Sequence, residues 1–261
     1  MSLLVDKKDG VARVTLNRPD VRNAFDDALI ASLTKAFDEL NRERTVKVVV
    51  LAGNGPSFCA GADLNWMKRM AGYSYDENLR DAGALADMLA MLDGLDKPTI
   101  ARVHGAAFAG GTGLVAACDI AVGTPEAKFC FSEAKLGLSP ATISPHVIRA
   151  IGERAARRYF LTAEVFDGAE AERIGLLTLV VEKEILDKAI DELLVHLLAG
   201  GPEAMKKIKD LIRAVSGRPV DDALVGDTAK RIAEIRVSPE GKEGIASFLE
   251  KRKPAWWSTK S

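Results

Sequence analysis

The run from Gly105 to Asp119, GAAFAGGTGLVAACD, constrains this chain more than any other stretch. Residues this small let a backbone come close to another element or to a ligand. The run follows Thr99 to Val103 (TIARV), a β-branched segment that reads as a strand. Ala109-Gly110-Gly111-Thr112-Gly113-Leu114 should then open a helix. A helix N-terminus carries unpaired N–H donors and a partial positive charge, a natural seat for an oxyanion or a phosphate. Gly111 to Ala116 also fits the dinucleotide pattern G-x-G-x-x-A. Rossmann glycines directly follow their strand near the start of a domain. Here His104 to Gly110 intervenes, which argues against a nicotinamide cofactor.

The rest of the first half alternates strand and helix patterns. Gly10 to Leu16 and Lys47 to Leu51 read as strands. Leu29, Ile30, Leu33, Phe37 and Leu40 recur at helical spacing behind Asp26, a plausible N-cap. A second helical stripe is Leu79, Leu85, Met88, Leu89 and Leu92, within Glu77 to Leu95. Ile120 to Val122 and Lys128 to Cys130 are short apolar segments. Beyond them the periodic stretches are Pro145 to Phe160, Ile185 to Leu198, Glu203 to Val215, Asp221 to Ile235 and Gly241 to Arg252. The pattern predicts an α/β core to about residue 180, then a helical C-terminal part.

Composition narrows the function classes. The 261 residues are 48% hydrophobic and 28% charged, ordinary for a globular protein. The formal net charge of -1 argues against a general nucleic-acid binder, which needs a positive excess to displace counterions. Cys59, Cys118 and Cys130 form neither a disulfide framework nor a C-x-x-C zinc pair, and suit a reducing compartment. The N-terminus lacks a signal-peptide pattern, and no uncharged run reaches the ~20 residues of a membrane helix. A soluble, cytoplasmic protein is expected.

Candidate chemistry lies in three places. Ser57 to Leu64 (SFCAGADL) follows a strand and can present backbone N–H groups to an anion, or be an ordinary turn. Glu133, amid Phe131-Ser132-Glu133-Ala134-Lys135-Leu136-Gly137, has apolar surroundings that would raise its pKa and suit it to proton transfer. A helix-start carboxylate paired with Lys135 or a backbone N–H is the plainer alternative. His104, His146 and His196 share no metal-ligand spacing, and no G-x-S-x-G elbow exists.

In order along the chain, these pieces resemble the crotonase family, also called the enoyl-CoA hydratase/isomerase family. The matching stretches are Asn17 to Phe25 (NRPDVRNAF), Phe58 to Leu64 (FCAGADL), His104 to Gly111 (HGAAFAGG), Cys118-Asp119-Ile120, Ser132 to Leu138 (SEAKLGL) and Phe248 to Lys253 (FLEKRK). Ser132 to Pro145 (SEAKLGLSPATISP) and Ala60 to Met67 (AGADLNWM) look most like a bacterial branch of methylglutaconyl-CoA or related branched glutaconyl-CoA hydratases. The resemblance implies a spiral of ββα units over residues 1–195. It implies a helical region over 196–261 for trimerisation and CoA cover, commonly in a dimer of trimers.

It also implies acyl-CoA thioester substrates and no cofactor besides the substrate's own coenzyme A. The oxyanion hole matches the backbone N–H groups of Ala62 and Gly110, and the proton-transferring carboxylate matches Glu133. Substrate contacts are implied at Arg22, Ala24, Ala60, Asp63, Leu64, Trp66, Gly113 and Leu138, with Phe248 and Lys251 over the adenine and phosphate end, often from a neighbouring subunit. Leu64 to Tyr75 (LNWMKRMAGYSY) should line the acyl pocket, where Lys68 or Arg69 can pair with a distal carboxylate or simply face water.

One departure matters. Family hydratases use two glutamates, and the water-activating one should lie 20 residues before Glu133 (133 − 113), where this chain has Gly113. Glu133 then does both jobs, another group supplies the base, or the enzyme shifts a double bond as an isomerase. A non-catalytic CoA-binding member is the remaining alternative.

Overall fold

Alternating β-branched residues build a main sheet that buries both faces. The computed structural model describes residues 1–257. In chain order the elements are β1 (Leu3–Lys8), β2 (Val11–Leu16), α1 (Asp27–Arg42), β3 (Val48–Gly53), α2 (Leu64–Met70), α3 (Tyr75–Gly94), β4 (Thr99–Val103), β5 (Ala106–Phe108), α4 (Gly110–Ala117) and β6 (Ile120–Gly123). They continue with β7 (Lys128–Cys130), α5 (Ser144–Thr162), β8 (Phe166–Asp167), α6 (Gly168–Arg173), β9 (Leu179–Val180), α7 (Leu186–Ala199), α8 (Pro202–Val215), α9 (Asp222–Val237) and α10 (Pro239–Leu249). The main sheet has the order β1-β2-β3-β4-β6-β9, and a second sheet has the order β5-β7-β8. Only the β1–β2 pair is antiparallel in the main sheet, joined at Asp9-Gly10, where both residues take positive φ as a tight hairpin requires.

Register decides what each face buries. Ala12, Val14, Leu16, Val49, Leu51, Ala101 and Val103 share a core with Leu29, Leu33 and Phe37 of α1 and Met88, Leu89 and Leu92 of α3. The opposite row, Val11, Val48, Val50, Ile100 and Val122, packs on Leu186, Ile190 and Leu194 of α7. Each Val, Leu, Ile, Phe or Met among them contributes roughly 1.5–3 kcal/mol relative to exposure. Asp26 caps α1 by accepting from the Leu29 N–H at 2.7 Å. Leu79, expected in the apolar stripe of α3, is 59% exposed, because the stripe meets the core only from about Leu85 onward.

The chain winds as a spiral. Each turn gives a strand to the main sheet, crosses to a second layer, and then enters a helix. The turns β4-β5-α4 and β6-β7-α5 show this in full. After β2 the second-layer contact is reduced to a bridge from Phe25 to Ala62, and after β3 to a bridge from Cys59 to Ala107. The C-terminal helices follow, with α7 running through position 195 and seated on the sheet. Lys209 of α8 is buried and ties this region to the strands, its Nζ donating to Asp119 at 2.7 Å and to the Lys97 carbonyl at 3.1 Å. No helix among the described residues is long and apolar enough to cross a membrane.

Candidate active site

The spiral places the ends of three second-layer segments side by side, each just before a helix. Residues 59–62 precede α2, residues 106–109 precede α4, and residues 128–133 precede α5. Phe108 N–H donates to the Cys59 carbonyl at 2.9 Å, and Ala109 N–H to the Cys130 carbonyl at 2.8 Å. Gly61 lies so close to Ala109 that an added Cβ would stand 3.4 Å from the Ala109 Cβ. Ala62 and Gly110 are each the next residue along. Gly111 sits tighter still, since a Cβ there would collide with the Cys59 carbonyl.

Among the described residues neither the Ala62 nor the Gly110 N–H donates to any acceptor. On either side, Asp63 N–H donates to the Phe25 carbonyl and Phe25 N–H to the Gly61 carbonyl, both at 2.7 Å, and Ala109 N–H is held by Cys130. Gly110 is also the first residue of α4, so the helix field adds to its donor. Ala109 turns the chain into that helix with φ 47° and ψ −117°, a conformation that strains an alanine by about 1–3 kcal/mol.

Glu133 lies in a 3-10 turn, Ser132–Leu136, half-buried between β7 and α5. Its Oε2 is buried without a hydrogen-bond partner among the described residues. Burial pushes its carboxyl above the usual glutamate range; its own main-chain N–H opposes this only in part, and no neighbouring charge contributes. Lys135 does not pair with it, donating instead to the Ala163 carbonyl at 2.6 Å. A buried carboxyl with a raised pKa and no ion partner, with two free main-chain donors on the adjoining turns, suits proton transfer near a developing oxyanion.

Gly113, one turn into α4, is closed off. A Cβ there would stand 2.5 Å from Ile143 Cγ2 and 3.0 Å from Ile143 Cβ, and Ile143 is itself buried. The space where a second carboxylate would begin is filled by an apolar side chain. His146, one turn further along α5, is buried with Nδ1 unpaired, and burial lowers its pKa despite Asp93 nearby. It flanks the ion pair of Asp93 and Arg149.

The other expected contacts divide. Asp63 caps α2, accepting from Asn65 N–H at 2.8 Å and Trp66 N–H at 3.3 Å, and it pairs with Arg18 at 2.9 Å. Burial pushes its carboxyl up, but those N–H groups and Arg18 outweigh it and hold the pKa below the usual range. Trp66 is buried, its indole N–H on Asp81 at 3.1 Å. Both therefore hold the turn around Ala62. Ala24 is buried, and Ala60 N–H donates to the Arg22 carbonyl at 3.0 Å. Arg22, Leu64 and Leu138 are exposed. Arg69 pairs with Asp27 at 2.7 Å, whereas Lys68 is exposed with no carboxylate partner among the described residues. Phe248 is 81% exposed at the end of α10, and Lys251 lies just beyond it.

Two residues that support this site are not marked by any site motif. Asn23, buried with positive φ, donates from Nδ2 to the carbonyls of Asn54 and Ser57 at 2.9 and 2.8 Å. Arg18 joins Asp26 and Asp63, each at 2.9 Å. Both lie inside the NRPDVRNAF stretch, and that is their only signal in the sequence. No cluster of His, Cys, Asp and Glu among the described residues could hold a metal ion.

The model of the enoyl-CoA hydratase/isomerase family matches residues 6–259. The chain belongs to this family. It is 42% identical to a solved enoyl-CoA hydratase from Shewanella pealeana, with 98% of this chain and 96% of that one covered and a TM-score of 0.96. It is 35% identical to an enoyl-CoA hydratase of Mycobacterium tuberculosis, covering 96% of this chain and 94% of the relative. A 2,3-dehydroadipyl-CoA hydratase of Escherichia coli shares 30% identity over 97% of both chains. The crotonase fold, with its spiral of ββα turns and C-terminal helices, is thus the fold of this chain.

Proposed function

We propose that this protein is a hydratase that adds water across the double bond of a 2-enoyl-CoA thioester. The observation that carries the reading is the buried, unpartnered Glu133 carboxyl beside the turns that leave the Ala62 and Gly110 amides free. The names of the relatives point the same way. In this reading the two amides hold the thioester oxygen as it takes up negative charge. Such preorganised donors need no rearrangement as the charge develops. Glu133, as the carboxylate, accepts the proton of the attacking water and returns a proton to the α-carbon. One carboxyl serves both steps if addition is syn, since both proton transfers then occur on one face. No cofactor beyond the substrate's coenzyme A is required.

The closed Gly113 position favours a second reading, a 3-enoyl to 2-enoyl isomerase in which Glu133 moves a proton between carbons. Incubation with 2-enoyl- and 3-enoyl-CoA of several chain lengths, followed by mass spectrometry, separates the two. A hydratase adds one water to the 2-enoyl thioester; an isomerase interconverts the two at constant mass. No reaction with either would leave only a CoA-binding role.

The branched glutaconyl class rests on the SEAKLGLSPATISP and AGADLNWM stretches, and Lys68 is the cation left for a distal carboxylate. A Lys68→Ala variant that keeps an unchanged preference for glutaconyl over simple enoyl thioesters would remove that role. A homotrimer or dimer of trimers suits the groove of about 720 Å³ between α8, α9 and α10, lined by Ile208, Leu211, Ile232 and Ile235. Phe248 and Lys251 would then reach a neighbour's CoA, and light scattering tests the assembly.

A further inference from the structure

We propose that Asn54 is a site of spontaneous covalent modification, converting to aspartate and isoaspartate in the folded protein. Asn54-Gly55 is the only Asn-Gly pair among the six asparagines of the chain. A glycine after asparagine has no side chain to hinder attack of its amide nitrogen on the asparagine side chain. Here the two groups are already in contact: the Gly55 N–H donates to the Asn54 Oδ1 at 2.9 Å, which holds the nitrogen next to the side-chain amide and polarises its carbonyl.

The surroundings hold this arrangement. Asn54 N–H donates to the Leu16 carbonyl at 2.8 Å, and its own carbonyl accepts from Asn23 Nδ2 at 2.9 Å. The Gly55 carbonyl meets His104 Nε2 at 2.8 Å. The loop also opens on a cleft of about 690 Å³ shared with Arg13, Arg102, His104 and Lys183. Water therefore reaches the pair.

The step balances without an oxidant. The Gly55 nitrogen gives its proton to solvent base and bonds to the Asn54 Cγ. The bond from Cγ to the side-chain nitrogen breaks, and ammonia leaves. Water opens the resulting cyclic imide at either carbonyl, giving aspartate or isoaspartate. The isoaspartyl form adds a carbon to the main chain between β3 and residues 57–62, so it displaces the carbonyls that Asn23 and His104 hold.

The test is incubation of the purified protein in mildly alkaline buffer, then trypsin digestion and fragmentation of the peptide Val48 to Lys68. The expected result is the NH2-to-OH mass shift at residue 54 as two chromatographic isomers, with the other five asparagines unchanged. A variant Asn54→Gln, whose ring closure is slower, should stay unmodified. The proposal is overturned if residue 54 keeps its amide in the folded protein over a time in which the free peptide 48–68 converts. Loss of turnover in the isoaspartyl fraction would depend on the hydratase reading; the mass shift does not.

Discussion

The contact between Gly113 and Ile143 can be weighed directly. Gly113→Ala brings two opposed effects. Replacing glycine inside a helix gains about 0.8–1.0 kcal/mol of propensity. The new methyl, however, would sit 2.5 Å from Ile143 Cγ2 and 3.0 Å from its Cβ, on a side chain that is itself 1% exposed. Overpacking of this kind costs typically 1–3 kcal/mol. The net expectation is a loss of up to about 2 kcal/mol. Ile143→Ala alone opens a cavity and should cost roughly 2–5 kcal/mol. In the double variant the 2.5 Å contact with Ile143 Cγ2 is gone and only the 3.0 Å contact with the Cβ that alanine keeps remains, so the propensity gain survives and most of the clash does not. The double variant should therefore be more stable than the sum of the single changes predicts, by about 1–3 kcal/mol. Urea denaturation of the four proteins at one fixed concentration measures this, the fixed concentration being needed if the chain assembles. Additivity within about 0.5 kcal/mol, or a Gly113→Ala protein about 1 kcal/mol more stable than the parent, would show that the space is open and refute the reasoning.

Glu133→Gln should lower kcat by about 10²–10⁴-fold or more with KM nearly unchanged, read from steady-state kinetics; retained turnover removes Glu133 from the chemistry. The same variant should become more stable relative to the parent as pH rises. Burial raises the folded pKa of Glu133, so the stability it allows is full below the ordinary glutamate range and falls as pH climbs through the raised value, whereas glutamine has no such loss. Parallel melting curves across pH check the sign. Gly110→Ala should push the helix start off Phe25, whose Cε2 lies 2.9 Å from the new methyl, and lower kcat by about 10²-fold while the fold persists by circular dichroism. Asp63→Ala removes the α2 cap and one partner of Arg18, which keeps Asp26, and should cost about 1–2 kcal/mol in thermal denaturation.

Much of the architecture is legible because long periodic segments carry their own signal. The α1 stripe with Asp26 before it and the TIARV strand stand where the pattern places them. Gly110 opens α4 because only small residues fit where that helix meets Cys59 and Phe25. What the sequence hides has tertiary causes. β8 and β9 are two residues each, too short for any period. β1 reads as polar because only Leu3 of its six residues is buried. Asp63 looks like a ligand contact but is consumed by Arg18 and two amides, a pairing that spans 45 residues of sequence. The occupant of the space beside Gly113 is 30 residues away (143 − 113), and no spacing rule points to it.

Ala109 enters α4 through a backbone shape in which glycine would rest more easily. Every bulkier residue would add steric crowding, and a β-branched one would find almost no allowed geometry. The position thus suits only the two smallest amino acids. A small residue at such a place reports the shape of the main chain that carries the Gly110 amide.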